Sequence, residues 1–238
     1  MNMANKSLLT ALGIGLCCLL LTAHMNAAVE FGLDFSSRYI FRGFDLNPDN
    51  KPVIQPSITC ALGSSGLSVN LWGSFSFENK TLHETDITLS YDFTGLKNVS
   101  LSVGFIHYGW DFSEDFSFKD HTTQEFYITA GLPGVLLKPT LSLYYDINNG
   151  DGFFASLGIG HGLKLSKEIA LDLSASLNYN GGQWIEGSGF SHINLVLSCP
   201  LQFDKISVSP FFGAVIILME EVNPGVDSEI FVGVSLAF

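Results

Sequence analysis

Apolar and polar residues alternate along this chain in twelve separate segments. Successive side chains of a β-strand point to opposite faces, so each segment predicts a strand with one apolar and one polar face. The pattern therefore predicts an all-β protein. The segments are Val29–Gly43, Ile54–Leu62, Leu67–Glu78, Asp86–Phe93, Val99–Trp110, Thr123–Leu132, Leu137–Asp146, Phe153–Leu165, Ile169–Asn180, His192–Leu201, Ile206–Leu218 and Glu229–Phe238.

The connections between these segments alternate in length. Longer polar connections follow the odd-numbered segments, among them Asp45–Pro52, Asp111–His121 and Met219–Asp227. The connections after the even-numbered segments are shorter, as at Gly63–Gly66. Long loops at one end and short turns at the other are typical of outer-membrane barrels. We therefore predict a closed antiparallel transmembrane β-barrel of about 12 strands, with 10 to 14 allowed, long outer loops and short periplasmic turns.

The two faces of the segments distinguish a membrane barrel from a soluble periplasmic β protein. The apolar face carries no charged residue, whereas the polar face combines charges with many serines and glycines. A soluble barrel would cover its water-facing side with Lys, Glu and Arg, while small residues fit a lumen. Aromatic residues on the apolar face lie near the strand ends, which predicts two interfacial girdles. They are Phe31, Phe93 and Phe238 at one end and Phe41, Phe77, Phe126, Tyr145, Phe153 and Tyr179 at the other.

The first 28 residues predict an export signal. A short start with Lys6 is followed by the apolar run Ser7–Leu21 and by small residues that end at Ala28. This is the order of regions in a cleaved secretory signal peptide. We expect residues 1–28 to be removed, residues 29–238 to form one barrel domain, and the protein to reach the outer membrane of a Gram-negative bacterium.

The charge balance excludes nucleic acid as a partner. The chain has 11 Lys and Arg against 23 Asp and Glu, a net charge of −12. Proteins that bind nucleic acid depend on cationic side chains that contact phosphates, so a negative net charge has the wrong sign for such binding. The expected partners are outer-membrane lipid and small solutes.

A motif in the first segment carries a family resemblance. Tyr39-x-Phe41-Arg42-Gly43, followed by Pro52-x-x-Gln55, resembles the TorF-like putative porins, an exported family mostly of unknown function. Arg38 and Pro56 depart from the residues that the family often has there. The resemblance implies an outer-membrane barrel and supplies no substrate. Phe238 at the C-terminus likewise resembles the signal by which the barrel-assembly machinery recognises outer-membrane barrels.

The charged residues on the polar face predict a lumen site. Arg38 and Arg42 are the only arginines of the chain, and alternation places both on the lumen face of the first strand. Acids of the same barrel end are Glu78, Asp86, Glu125, Asp146 and Glu229. Arginine pairs with carboxylates through its planar fork, so a rigid salt-bridge network at the barrel mouth is one interpretation. The other is a charged constriction that selects solutes by sign, and the excess of acids favours cations.

One wall of the predicted lumen is aromatic. Its residues are Tyr108, Trp110, Tyr127, Tyr144 and Phe154. Such a track could hold a sugar or an amphiphile. Alternatively, the rings pack against the loop Asp111–His121 folded into the lumen, since that loop is itself rich in phenylalanine.

The sequence gives little support to catalysis. It has no Gly-x-Ser-x-Gly motif and no His/Cys cluster with metal spacing. Ser191 and His192 are neighbours, but alternation predicts that they face opposite sides of a strand and cannot form a base–nucleophile pair. We therefore expect no enzyme and no cofactor. The predicted function is passive passage of small cationic or neutral solutes through a narrow lumen. The alternative is a structural or surface-interaction barrel with a plugged lumen.

Overall fold

The computed structural model describes residues 28–47, 51–78, 80–110, 122–166 and 169–238. Almost the whole predicted signal peptide and the loop Asp111–His121 lie outside these ranges. Among the described residues, no helix has the length and apolar character needed to cross a membrane.

Twelve antiparallel strands form a closed ring, as predicted. Each strand pairs with its neighbours in the chain, and the last strand returns to the first through pairs from Gly32–Ala237 to Ser36–Gly233. Closure leaves no open sheet edge, which satisfies the backbone hydrogen bonds of a barrel in lipid. The strands are β1 (Ala28–Ser36), β2 (Val53–Ala61), β3 (Leu67–Ser76), β4 (Thr81–Asp92), β5 (Ser100–Trp110), β6 (Thr122–Gly131), β7 (Thr140–Asp146), β8 (Phe153–Lys164), β9 (Ala170–Gly181), β10 (Ser188–Ser198), β11 (Ile206–Ile217) and β12 (Glu229–Ala237).

Four short elements accompany the ring in the described part of the chain. Ile40–Phe41 pairs with Phe44–Asp45, Leu201–Phe203 extends the turn between β10 and β11, and Glu220–Val222 is one turn of 3₁₀ helix. We call the barrel end that carries the connection between β1 and β2 the loop end, and the opposite end the turn end. The N-terminal end of β1 and the C-terminal end of β12 both lie at the turn end, because the strand number is even.

The outer surface is apolar, and most of the predicted girdle residues lie on it. Leu89 and Leu173 are 48% and 42% exposed in mid-strand, which places them against lipid. The exposed girdle residues are Phe31, Phe93 and Phe238 at the turn end and Phe77, Phe126, Tyr145 and Phe153 at the loop end. Tyr179 packs between the rings of Phe153 and Phe190.

The first predicted strand was wrong beyond Ser36. Residues 38–46 leave the wall and form a small hairpin inside the barrel, here called the inner hairpin. Arg42 and Gly43 at its tip have φ values of 50° and 91°. Two consecutive residues with positive φ make a type I′ turn, which suits the twist of a two-residue hairpin. Phe41 is therefore inside the lumen rather than in the lipid girdle.

Two β-bulges disturb the alternation near the loop end. Between β3 and β4, Ser74 pairs with Glu84 and Phe75 with Leu82, so His83 is an extra residue. Between β9 and β10, Asn178 pairs with His192 and Tyr179 with Phe190, so Ser191 is extra. A bulge residue shifts the side-chain alternation of its strand. Strand β7 also starts at Thr140 rather than Leu137, because Leu137 and Lys138 adopt positive φ in the turn.

The outward face leads to a stability prediction. Leu173→Arg should lower the free energy of unfolding by about 2–4 kcal/mol, because it places a charge near the bilayer midplane. Ser174→Arg is the matched control, since Ser174 is the next residue of β9 and faces the lumen. We expect it to cost much less. Equal losses in a lipid-bilayer folding titration would contradict the assignment of the two faces.

Candidate functional site

The site is the loop end of the lumen, where the inner hairpin meets the barrel wall. Gly43 at the hairpin tip lies directly on the wall. A Cβ atom at this position would stand 2.8 Å from both the Nδ1 atom of His192 and the Nδ2 atom of Asn223. Together with its positive φ, this contact explains why glycine occupies the tip.

Arg42 is the central anchor of the hairpin. Its Nη1 and Nη2 atoms donate to Oε1 and Oε2 of Glu125 at 2.6 and 2.7 Å, a bidentate pair. The amide of Gln183 bridges the two, accepting from Arg42 and donating to Glu125. The side chains of Arg42 and Glu125 are only 9% and 1% exposed. Such a pair is strong when formed, and loss of either partner leaves the other charge buried and unpaired.

Three aromatic rings surround the Arg42 guanidinium. Its carbon lies 4.8, 4.7 and 4.8 Å from the ring centroids of Phe41, Tyr144 and Phe154. Stacking of this kind adds cation–π attraction to the ion pair. Two residues of the predicted aromatic wall therefore hold the hairpin.

Arg38 forms a second ion pair at the mouth. It lies 3.0 Å from Asp45, within the hairpin, and 2.8 Å from Glu229 on β12. Asp45 also accepts a hydrogen bond from the backbone of Asn47. The prediction that both arginines line the wall of β1 was wrong, because both belong to the hairpin, but both do meet predicted acids.

Tyr39 fastens the other side of the hairpin. Its hydroxyl donates to Oε2 of Glu84 at 2.7 Å, and its ring lies 5.6 Å from Trp72 and 5.8 Å from His83. Burial, and then the Glu84 carboxylate, raises the pKa of the Tyr39 hydroxyl. Tyr39 therefore stays a neutral donor, and the carboxylate of Glu84 is its acceptor.

The other predicted acids have different surroundings. Asp146 is fully buried and accepts from Thr123 Oγ1 at 2.7 Å and from the backbone of Asn148 at 2.9 Å, so it shapes the turn after β7. Glu78 is 58% exposed in the loop after β3, 3.6 Å from Lys51. Asp86 lies on the lumen wall below the hairpin.

The remaining predicted aromatics extend the same wall. The hydroxyl of Tyr108 donates to Glu125 at 3.0 Å, and its ring lies 5.9 Å from Phe41. Tyr127 lies 5.8 Å from Tyr144, and its hydroxyl is 2.6 Å from Ser90 Oγ. The Trp110 side chain and the loop 111–121 lie outside what the structure describes. Tyr108, Tyr144 and Phe154 of this wall pack against the inner hairpin, whereas the predicted packing against the loop Asp111–His121 falls outside the described residues.

Sequence reasoning missed Tyr39, Glu84, Gln183 and the pair Ser191–His192. Gly43, an isolated glycine within the strand pattern, was an available signal of a break or a close backbone approach. Glu84 shares the parity of Asp86, and would have been found had the fourth strand been extended to Thr81.

Ser191 and His192 were wrongly predicted to face apart, because Ser191 is the bulge residue of β10. Asn194 Nδ2 donates to His192 Nε2 at 3.2 Å, so Nδ1 carries the ring proton and donates to Ser191 Oγ at 2.8 Å. Ser191 in turn donates to Asn223 Oδ1 at 2.7 Å. A histidine whose Nδ1 donates to the serine cannot accept the serine proton. These buried hydrogen bonds hold the loop after β11 against the barrel wall.

The lumen below the hairpin is not filled. A cavity of about 430 Å³ lies below the hairpin and is lined by residues of the hairpin and of β3, β4, β5, β7 and β8. A second cavity of about 310 Å³ lies against β7, β8 and β9 and is lined by Gly158, Gly160, Ser174 and Ser176. Within the described ranges, no group of three or more His, Cys, Asp or Glu residues could hold a metal ion.

The strand ring and its surface together identify the kind of membrane protein. A closed ring of twelve antiparallel strands with an apolar exterior, aromatic girdles and a polar lumen is a transmembrane β-barrel of the outer-membrane kind. No protein-family model matches the chain, and neither does any curated protein.

Solved structures with the same architecture are porins and related barrels. The NanC porin aligns with a TM-score of 0.54 and 10% identity over 89% of this chain and 99% of its own. LpxR from Salmonella typhimurium aligns with a TM-score of 0.51 and 8% identity, over 88% and 99% of the two chains. At such low identity these similarities show the fold alone.

Proposed function

We propose that the protein is a porin-like barrel of the outer membrane that gives small solutes passive passage through a lumen narrowed by the inner hairpin. The observation that carries the proposal is the hairpin itself, docked across a lumen whose wall is otherwise rich in serine and glycine. Twelve strands lie between the filled interior of eight-stranded barrels and the aqueous channel of sixteen-stranded porins. The cavities below the hairpin support a narrow water-filled path.

The charges of the site favour cationic or neutral solutes. Arg42 is neutralised by Glu125, and Arg38 lies between Asp45 and Glu229. Asp86 lines the cavity below the hairpin, and no ion pair found among the described residues joins it to an arginine. A lumen lined in this way attracts cations and repels anions.

The alternative is a structural or surface-interaction barrel with a plugged lumen. Its support is the number of buried bonds that hold the hairpin, from Arg42 to Glu125 and from Tyr39 to Glu84. Catalysis is not part of the proposal, since the Ser191–His192 contact connects a loop to the wall, and no cofactor is proposed.

Location and partners complete the proposal. Residues 1–28 would be removed on export, and lipid would contact the exposed leucines. The barrel-assembly machinery would recognise Phe238, whose backbone N–H donates to Phe31 at 3.0 Å across the closing seam. The first half of the motif that resembles the TorF-like putative porins, Tyr39-x-Phe41-Arg42-Gly43, lies in the inner hairpin, so membership of that family would make the hairpin a family feature.

Single-channel recording in a planar bilayer tests the function. We expect small conductance steps, and reversal potentials in a salt gradient that favour cations. Anion preference would contradict the charge argument. A complete lack of steps, both in the natural chain and after removal of the hairpin, would support the structural barrel.

A further inference from the structure

We propose that the cavity below the inner hairpin binds a small organic cation, with Asp86 as counter-ion and four aromatic rings as walls. This inference rests on the proposed pore and names the class of solute that the pore would select.

The aromatic walls follow from the strand register. Trp72 on β3 pairs directly with Asp86 on β4, and Asp86 pairs directly with Tyr108 on β5. All three line the cavity, so the carboxylate stands between an indole and a phenol ring. Directly opposed residues on neighbouring strands have Cβ atoms about 4.5–5.5 Å apart, close enough for one ligand to contact all three.

The hairpin adds the other two rings. The ring of Tyr39 lies 5.6 Å from Trp72, and the ring of Phe41 lies 5.9 Å from Tyr108. Faces of Trp, Tyr and Phe attract ammonium groups within about 6 Å of the ring centroid, and aromatic cages recognise quaternary ammonium ligands in this way.

Asp86 supplies the charge. Asp86 lines the cavity, and its carboxylate accepts a hydrogen bond from the backbone of Gly109. A carboxylate that is largely buried is costly to ionise without a cation beside it. An ammonium group in the cavity would meet this requirement.

The arginine on the cavity wall does not oppose the assignment. Arg42 lines the same cavity, but its bidentate bond to Glu125 neutralises it. Asp86 therefore determines the sign of the ligand. The cavity volume of about 430 Å³ lies within the range of about 300–1,000 Å³ that is usual for small-molecule sites.

Choline and its uncharged isostere 3,3-dimethylbutanol are the probes. Titration calorimetry on the full chain, folded in detergent, should show choline binding and at least about tenfold weaker binding of the alcohol. Asp86→Asn should weaken choline binding about tenfold or more. The matched control is Asp92→Asn, the same change on the lumen face of β4 at the exposed turn end.

Trp72→Leu provides a second, independent variant, because it keeps an apolar wall and removes the π face. It should weaken choline binding several-fold with the charge intact. Equal affinity for choline and the alcohol, or unchanged affinity in Asp86→Asn and Trp72→Leu, would overturn the proposal. Since binding is measured without a membrane, a protein that binds choline but does not conduct would refute the pore and leave the site standing.

Discussion

A barrel in which residues 38–51 are replaced by a four-residue glycine–serine linker is expected to conduct several-fold better than the natural chain. The replacement removes the inner hairpin from the lumen while Ser36 and Val53, which are register partners, still permit a short connection. It also removes both arginines and leaves Glu84, Asp86 and Glu125 on the wall. Reversal potentials should therefore shift further toward cations.

The control replaces residues 224–227, in an exposed part of the loop after β11, by the same linker. Its conductance should equal that of the natural chain. If the hairpin variant folds, as shown by circular dichroism, and its conductance is unchanged, then the hairpin does not limit the pore.

Glu125→Gln is expected to release the hairpin. The change leaves the buried Arg42 guanidinium without its carboxylate, and breaking such a pair costs about 3–5 kcal/mol. The strand ladders do not depend on this pair, so the loss should appear as undocking rather than as unfolding of the barrel. An increase of about 100-fold or more in the undocked fraction follows, at about 1.4 kcal/mol per factor of ten.

An arginine-specific protease measures this undocking, because the only arginines of the chain, Arg38 and Arg42, lie in the hairpin. Cleavage should be slow in the natural chain and fast in Glu125→Gln. Glu78→Gln is the matched control, since Glu78 is exposed and lies outside the hairpin contacts. Arg42→Met combined with Glu125→Gln should recover part of the protection at Arg38. Equal cleavage of the natural chain and Glu125→Gln would rule out the ion pair as the anchor.

Alternation was sufficient to predict the barrel wall, because one face of each strand contacts lipid and tolerates no charge. It also predicted the lumen positions of Glu125 and Tyr144, which lie in regular parts of β6 and β7. It failed at Tyr39 and Phe41 because a hairpin inside the lumen is itself a β structure and alternates with the same period. Continued periodicity does not show whether a strand stays in the wall.

The bulges account for the other failures. His83 and Ser191 each add one residue to a strand, so the parity of the side chains changes across them. Both bulges lie beside the hairpin, with His83 near Tyr39 and Ser191 bonded to the His192 ring beside Gly43. Nothing in the local sequence predicts a one-residue register shift, since it arises from pairing with another strand.

Closure of the seam between β1 and β12 affects when the inner hairpin can dock. The backbone N–H of Ser37, at the root of the hairpin, donates to Val232 of β12 at 2.9 Å, so the root is positioned only when the first and last strands have met. Side chains of the hairpin also form hydrogen bonds with residues that are 45, 83 and 141 positions away in the sequence. Contacts at such separations form late because their loop-closure entropy must first be offset. We therefore expect the hairpin to dock after the barrel has closed, so that its protection from protease marks a closed barrel.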